Sequence, residues 1–141
     1  MRFMIIVKAT ADSEAGVMPP DSLLAQMGKF HEELAAAGML VDASGLQASS
    51  KGWRVKYSGD KRSIVNGPFA ETRELIAGYT IIKADSREQA EQWSKRYPNP
   101  TLDGSDCELE VRQIFELEDF ESSPAVERFR ELPTTSNRTN R

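Results

Sequence analysis

The sequence predicts a single α+β domain in which a strand–helix–strand unit occurs twice. Stretches of alternating or β-branched residues predict strands, and two segments with apolar residues every three or four positions predict amphipathic helices. A polar turn flanked by alternating residues between the two units predicts an inserted β-hairpin. The length of 141 residues and the hydrophobic content of 39% suit one hydrophobic core rather than two.

The first part of the chain predicts a buried strand followed by an amphipathic helix. Residues 3–9 are apolar on both alternating faces, as is typical of a strand that is covered from two sides. Pro19 and Pro20 favour a helix start, and Gly38 favours its end, so the helix is expected over about 20–37. Its apolar positions recur at helical spacing at Leu23, Met27, Phe30 and Leu34.

The middle of the chain predicts only strands. A short second strand is expected at 39–41, and a hairpin at 53–57 and 62–65 turns at residues 58–60. A core strand rich in β-branched residues follows at 76–84. The apolar face of the hairpin is expected to consist of Trp53, Val55 and Tyr57.

The last part of the chain predicts a helix, a strand and a polar tail. The helix begins at the capping residue Ser86 and ends before Pro98, and a strand is expected over 107–117. We place the domain at residues 1–120 and the tail at 121–141. In the tail, a short helix is expected near residues 124–132, and the final residues 134–141 are expected to be disordered because they have nothing apolar to bury.

This order of elements is the split βαβ plan of the ferredoxin-like fold, with both helices on one face of an antiparallel sheet. The strand at residues 3–9 is apolar on both sides, although two helices cover only one side. The other face therefore needs a cover, and a second copy of the chain is the simplest one. A homodimer is predicted.

Composition argues against several classes of protein. The net charge is −4 and the 18 basic residues are scattered, so no nucleic-acid partner is expected. No stretch is long and apolar enough for a membrane span, and the single cysteine, Cys107, suits a cytoplasmic protein. One histidine and one cysteine disfavour a metal site, and nucleotide-binding and hydrolase motifs are missing, so no cofactor is expected.

The string NGPFAETRE at residues 66–74, followed by LIAGY at 75–79, resembles the DGPF motif of YCII-related, YciI-like proteins. The similarity covers about residues 1–120. It extends to the segments 45–46, 50–52, 86–98 and 108–120.

The resemblance implies dimeric α+β barrels, in which two ferredoxin-like sheets face each other around a cleft. Genome context often links the DGPF subgroup to extracytoplasmic-function sigma factors, which implies a sigma-factor association. Some relatives resemble lyases for small aromatic substrates and use a first-helix histidine with an acidic partner. At the corresponding position this chain has Met27, and His31 stands one helical turn later.

His31 is the leading candidate for a catalytic residue, because histidine is the side-chain type suited to proton transfer near neutral pH. The alternative is a structural histidine at the edge of the apolar stripe. Asp42 follows the short second strand and is a candidate acidic partner for His31; its alternative is an exposed loop acid.

The start of the 66–74 segment has the residues of a rigid turn. Asn66 and Gly67 suit a positive φ, Pro68 fixes the chain, and Phe69 is then directed into the core or a cleft. Asn66 replaces an ionisable Asp of the relatives and keeps only hydrogen bonding. These four residues are candidate ligand contacts, with a purely structural turn as the alternative.

The end of the same segment gathers polar groups that suit a ligand. Thr72 and Arg73 are candidate ligand-binding residues, and Glu71 is a candidate for orienting the proton carried by His31. Tyr79 is expected to form a pocket wall.

Two functions are therefore expected from different classes. The first is a homodimer that holds a small polar or aromatic molecule in the cleft between facing sheets, with residues 66–74 at its mouth, and acts as a lyase-like or isomerase-like acid–base catalyst without a cofactor. The second is a non-catalytic regulatory protein in a sigma-factor circuit.

Overall fold

The computed structural model describes residues 1–134 and has a mixed α+β architecture. The strands are β1 (Arg2–Lys8), β2 (Leu40–Gly45), β3 (Trp53–Ser58), β4 (Lys61–Asn66), β5 (Ile76–Lys83) and β6 (Leu109–Gln113). The helices are α1 (Ala11–Glu14), α2 (Asp21–Ala36), α3 (Arg87–Ser94) and α4 (Pro124–Arg130). Single 3₁₀ turns occupy Ser49–Lys51, Thr72–Glu74 and Leu117–Asp119.

Four strands form one antiparallel sheet in the order β2-β5-β1-β6. The central strand β1 pairs Phe3 with Ile82 of β5 and Ile5 with Val111 of β6. Because facing residues of paired strands lie on the same side of a sheet, Phe3, Ile5 and Ile82 share one face. Strands β2 and β6 are the two edges of this sheet.

Helices α2 and α3 both cover that face. The buried core combines Phe30 and Leu34 of α2 and Ala90 of α3 with Phe3, Ile5 and Ile82. The ring of Phe30 also packs against Trp93 and Tyr97, at centroid distances of 6.4 and 5.1 Å. Burial of these apolar side chains, rather than helix propensity, is the main source of stability for such short helices.

Neither α2 nor α3, the helices that contribute to the buried core, packs on the opposite face of the sheet. By alternation along the strands it presents Met4 and Ile6 of β1 with Tyr79 and Ile81 of β5, and all four are half-buried. The apolar character predicted for both sides of the first strand is therefore present in the structure.

Strands β3 and β4 form a separate two-stranded sheet. Every residue of both strands is exposed. The apolar hairpin face expected at Trp53, Val55 and Tyr57 exists, but it lies outside the core of the protomer.

Two strands end well away from their predicted ends, and one helix was not predicted. The second strand extends to Gly45 because its small residues pair with β5, and the last strand stops at Gln113 instead of 117. A short helix, α1, forms where no element was expected, with the Thr10 hydroxyl capping the backbone N–H of Ser13. Strand pairing and local capping decide these ends, and neither leaves a periodic pattern in the sequence.

The tail contains α4, which lies within the helix expected at 124–132. From residue 135 onward, the segment expected to be disordered lies outside the described residues. Among residues 1–134, no helix is long and apolar enough to cross a bilayer.

Candidate functional site

A cavity of about 390 Å³ lies between α2 and the sheet and contains His31. Within the described part of the chain no Asp, Glu, Lys or Arg lines this His31 cavity. Its polar side chains include His31, Thr80 and Ser44. Its apolar lining includes Val7, Leu23, Met27, Ala43, Ala77 and Pro100.

Helix α2 and strand β5 hold His31 in one orientation, each through one ring nitrogen. Nδ1 lies 2.7 Å from the backbone carbonyl oxygen of Met27, one turn earlier, and Nε2 lies 2.8 Å from the Thr80 hydroxyl. A carbonyl only accepts hydrogen bonds, so Nδ1 carries the hydrogen and donates it. In the neutral ring Nε2 is then the acceptor, and the Thr80 hydroxyl donates to it.

Thr80 connects His31 with Tyr97. Its side chain is only 1% exposed, and it faces the helices from the centre of β5. Burial raises the pKa of Tyr97, and the side-chain hydrogen bond with Thr80 opposes that rise only in part. The rings of His31 and Tyr97 also meet edge to face, with centroids 6.0 Å apart. The cavity wall therefore carries a connected set of three polar side chains.

The structure does not bring Asp42 to His31. Asp42 is exposed and pairs across from Ile81, whereas the next residue, Ala43, pairs with Thr80 on the helix-covered face. Alternation along β2 directs the Asp42 carboxylate to the other face, where it accepts a hydrogen bond of 3.1 Å from the Tyr79 hydroxyl. The expected His31–Asp42 pair is absent for this reason.

Tyr79 borders the His31 cavity, although its hydroxyl is engaged with Asp42. The His31 cavity is formed within one protomer. His31 of α2 faces the helix-covered side of the sheet, whereas the cleft expected between two subunits would lie on the other side.

The start of the 66–74 segment packs tightly against the turn at Ser49. A Cβ atom added to Gly67 would lie 1.9 Å from the Ser49 carbonyl oxygen, so only glycine fits this position. Gly67 does not adopt the positive φ expected from the sequence; its lack of a side chain serves close packing instead. The Gly67–Pro68 peptide bond is cis, and Asn66 is exposed at the end of β4.

A network of part-buried hydrogen bonds also holds this segment in place. The Ser49 hydroxyl accepts a 3.0 Å hydrogen bond from the Phe69 backbone N–H and itself donates to the Glu14 carboxylate. The same carboxylate accepts a 3.0 Å hydrogen bond from the Ser49 backbone N–H. Glu14 of α1 therefore fixes the position of residues 67–69.

Phe69 was expected either in the core or in a cleft, and it is not part of the buried core cluster. It is half-buried, and the guanidinium carbon of Arg54 lies 3.8 Å from the centre of its ring. This cation–π contact links the hairpin to the 66–74 segment.

The polar end of the segment lies away from His31. Glu71 is exposed, Thr72 is half-buried and begins the turn Thr72–Glu74, and none of them lines the His31 cavity. Arg73 borders a second cavity of about 500 Å³, whose other lining residues include Lys8 and Cys107. Val7, Ala77 and Pro100 line both cavities, so the two adjoin.

The sequence reasoning missed Thr80, Tyr97, Ser49 and Glu14 as parts of these arrangements. A threonine inside a strand and a tyrosine at the end of an amphipathic helix both read as ordinary structural residues. Only the polarity of Thr80 in the middle of an otherwise apolar buried strand hinted at a hydrogen-bond partner across the core.

Among residues 1–134, no group of three or more His, Cys, Asp or Glu side chains is arranged to hold a metal ion. The class of protein defined so far is an α+β protein with a histidine-containing cavity between a helix and an antiparallel sheet. The family model for the YCII-related domain matches residues 1–118, and the chain belongs to this family. A search of curated proteins finds no match to the chain.

Proposed function

We propose that this protein binds a small polar or aromatic molecule in the His31 cavity and acts on it as a lyase-like or isomerase-like acid–base catalyst. The observation that carries the proposal is the fixed tautomer of His31, whose Nε2 is the proton acceptor at the cavity wall. General acid–base catalysis requires a proton-transferring group held at a defined position beside the ligand.

The environment of His31 suits a proton shuttle. Nε2 takes a proton from the ligand after the Thr80 hydroxyl rotates away, and the Met27 carbonyl supports the resulting cation by accepting from Nδ1. If His31 returns that proton to another atom of the ligand, the reaction is an isomerisation. If His31 gives the proton to a leaving group as that group departs, the reaction is an elimination. Neither route needs a cofactor.

The lining of the cavity supports the class of ligand. Apolar walls without a charged side chain favour a neutral, ring-sized body, and the few polar groups orient it. Glu71 and Asp42 are no part of this proposal, since both lie outside the lining.

The proposal includes a ferredoxin-like subunit, a homodimer of the α+β barrel type and a location in the cytoplasm. The strand order β2-β5-β1-β6 with α2 and α3 on one face supports the first. The half-buried apolar side chains on the other face, among them Met4 and Ile6, support the second. A reducing compartment would keep the exposed Cys107 as a free thiol.

The test is solvent-deuterium incorporation into a panel of small phenols and enolisable ketones, followed by NMR. The wild-type protein is expected to exchange at least one compound, and His31→Gln is expected to lower that rate by about 100-fold or more, the usual size of a general acid–base contribution. Lys29→Ala, an exposed change on the same helix, serves as the control and is expected to keep the wild-type rate.

Undiminished exchange by a folded His31→Gln variant would remove His31 from the mechanism. If no compound is bound or exchanged by the wild-type protein, the catalytic proposal is wrong and the alternative gains. That alternative is a non-catalytic regulatory role with a sigma-factor partner, and the acidic segment 103–121 is the observation that favours it. A pull-down that recovers a sigma factor would support this role.

A further inference from the structure

The hairpin formed by β3 and β4 has an apolar face that is left uncovered by residues 1–134 of the same protomer. Pairing across the hairpin brings Trp53, Val55, Tyr57 and Ile64 to the same face. Trp53, Tyr57 and Ile64 are 63%, 68% and 60% exposed. Isolated two-stranded sheets are only marginally stable in water, so a hairpin of this kind needs a surface to pack on.

The hairpin is also strongly basic, on an acidic chain. Residues 51–66 contain five basic side chains and one acidic side chain, Asp60, although the whole chain has a net charge of −4. None of the five forms an ion pair within the described residues. The basic residues are Lys51, Arg54, Lys56, Lys61 and Arg62.

A surface of opposite charge lies at the other edge of the main sheet. The segment 103–121, which includes the edge strand β6, contains eight acidic side chains and one basic side chain, Arg112. Lys8, Arg2 and Arg130 each pair with one of these acids, and the segment remains acidic after that. Asp106, Glu108 and Glu121 have no ion-pair partner among the described residues.

This acidic segment also exposes large apolar side chains. Phe115 is 72% exposed and Phe120 is 47% exposed, and their rings pack together at a centroid distance of 5.1 Å. Val111 of β6 is exposed as well. The acidic segment and the hairpin are therefore complementary. Both expose apolar side chains, and their net charges are of opposite sign.

We propose that the hairpin of one copy docks on the β6 edge and the Phe115–Phe120 surface of a second copy. Two-fold symmetry then makes the contact twice, since each copy has one hairpin and one acidic segment. This inference rests on the proposed homodimer, and it names a second contact between the copies beside their facing sheets. Burial of Trp53 and Tyr57 against Phe115 and Phe120 supplies the apolar centre, and the charges form the rim and steer association.

A nucleic acid is the competing occupant of a basic surface with exposed aromatic rings. The charge of the rest of the molecule disfavours it: outside residues 51–66, acidic side chains outnumber basic ones by 21 to 13. A phosphate backbone would meet this acidic body, whereas a second copy offers the hairpin an acidic and apolar surface.

The experiment uses two full-length charge-reversed chains and sedimentation at micromolar concentration. The first carries Lys51→Glu before the hairpin and Arg62→Glu on the hairpin face that carries Trp53 and Tyr57. The second carries Glu108→Lys and Glu121→Lys in the acidic segment. Each alone is expected to dimerise at least tenfold more weakly than wild type, since in both of its contacts the reversed side chains meet unreversed side chains of their own sign. Mixed one to one, they are expected to form a heterodimer. In that heterodimer the reversed side chains of one copy meet those of the other, and the second contact is the wild-type one.

The wild-type dimer is further expected to weaken as salt is raised, and Trp53→Ser is expected to dissociate it while circular dichroism keeps the folded signal. If wild type is a dimer but neither reversed chain changes its affinity, the hairpin inference is wrong and the homodimer stands. A wild-type monomer would overturn both. Binding of a single-stranded oligonucleotide that the hairpin reversal abolishes, without a heterodimer on mixing, would assign the surface to nucleic acid instead.

Discussion

Gly67 contacts the backbone at Ser49 so closely that the identity of a single residue decides the shape of the 66–74 segment. The restriction is one of volume, because an added Cβ would overlap the carbonyl oxygen and the carbonyl carbon of Ser49, at 1.9 and 2.7 Å. Ser49 is itself hydrogen-bonded to Glu14, so the turn cannot move away from Gly67 without breaking those hydrogen bonds. Close packing is therefore sufficient to explain why this motif has glycine at position 67.

Gly67→Ala is expected to lower the free energy of unfolding by about 1–3 kcal/mol, the usual cost of overpacking. Urea denaturation measures it. Gly28→Ala is the matched control, because a Cβ at Gly28 in α2 meets nothing within 4 Å. It is expected to leave stability unchanged or to raise it by up to about 1 kcal/mol through helix propensity. Equal stabilities for the two variants would contradict the packing role of Gly67.

Tyr97 makes stability depend on pH in the alkaline range. Burial raises its pKa in the folded protein above the ordinary value of 10.0, so the unfolded chain loses this proton first as pH rises. The contribution of Tyr97 to stability is therefore complete below about pH 10 and is lost as pH climbs through the raised pKa.

The expected result is a fall in the free energy of unfolding above about pH 10 that is smaller in Tyr97→Phe than in wild type. Denaturation curves at a series of alkaline pH values measure the difference. Lys29→Ala, at an exposed residue outside both proposed sites, is the control and should follow the wild-type curve. Parallel curves for wild type and Tyr97→Phe would refute the role of Tyr97.

At the scale of the element, the two serine-capped helices α3 and α4 differ in what they bury. The Ser86 hydroxyl accepts a 3.1 Å hydrogen bond from the Gln89 backbone N–H, and Ser123 caps α4 in the same way with Val126. Helix α3 contributes Ala90 to the core, whereas α4 has no buried residue. The capping contacts are alike, but only one of them supports the folded core.

Ser86→Ala is expected to lower the free energy of unfolding by about 1 kcal/mol, the typical value of an N-cap. Ser123→Ala is expected to leave global unfolding within about 0.5 kcal/mol of wild type, because loss of α4 exposes no core. Chemical denaturation of both variants compares them. A larger effect of Ser123→Ala would indicate that α4 packs on the domain more firmly than its burial suggests.

The elements whose sequence patterns are longest were predicted best. The amphipathic helix expected at 20–37 is found at Asp21–Ala36, and the core strand expected at 76–84 is found at Ile76–Lys83. The ends of β2 and β6 were predicted less well, because an edge strand extends only as far as its neighbour supplies hydrogen bonds. That limit is a property of the sheet.

At the scale of the whole molecule, the distribution of charge and of exposed apolar groups is uneven. The basic hairpin follows β2 at one edge of the sheet, and the acidic segment includes β6 at the other edge. An isolated protomer leaves both surfaces open to solvent, and the dimer proposed above joins them. Its charge-reversal experiment is the test at this scale, since it reports assembly rather than folding.

The sequence by itself determined the α+β class, the main helices and strands, the family and the identity of His31 as a candidate. These features depend on local periodicity and on a contiguous motif, and both can be read directly from the amino-acid sequence. Only the tertiary structure decided the neighbours of each candidate: Thr80, 49 residues away, became the partner of His31, while Asp42 turned to the opposite face. The physical reason is strand register, because a shift of one residue exchanges the two faces of a sheet, and register is set by long-range pairing.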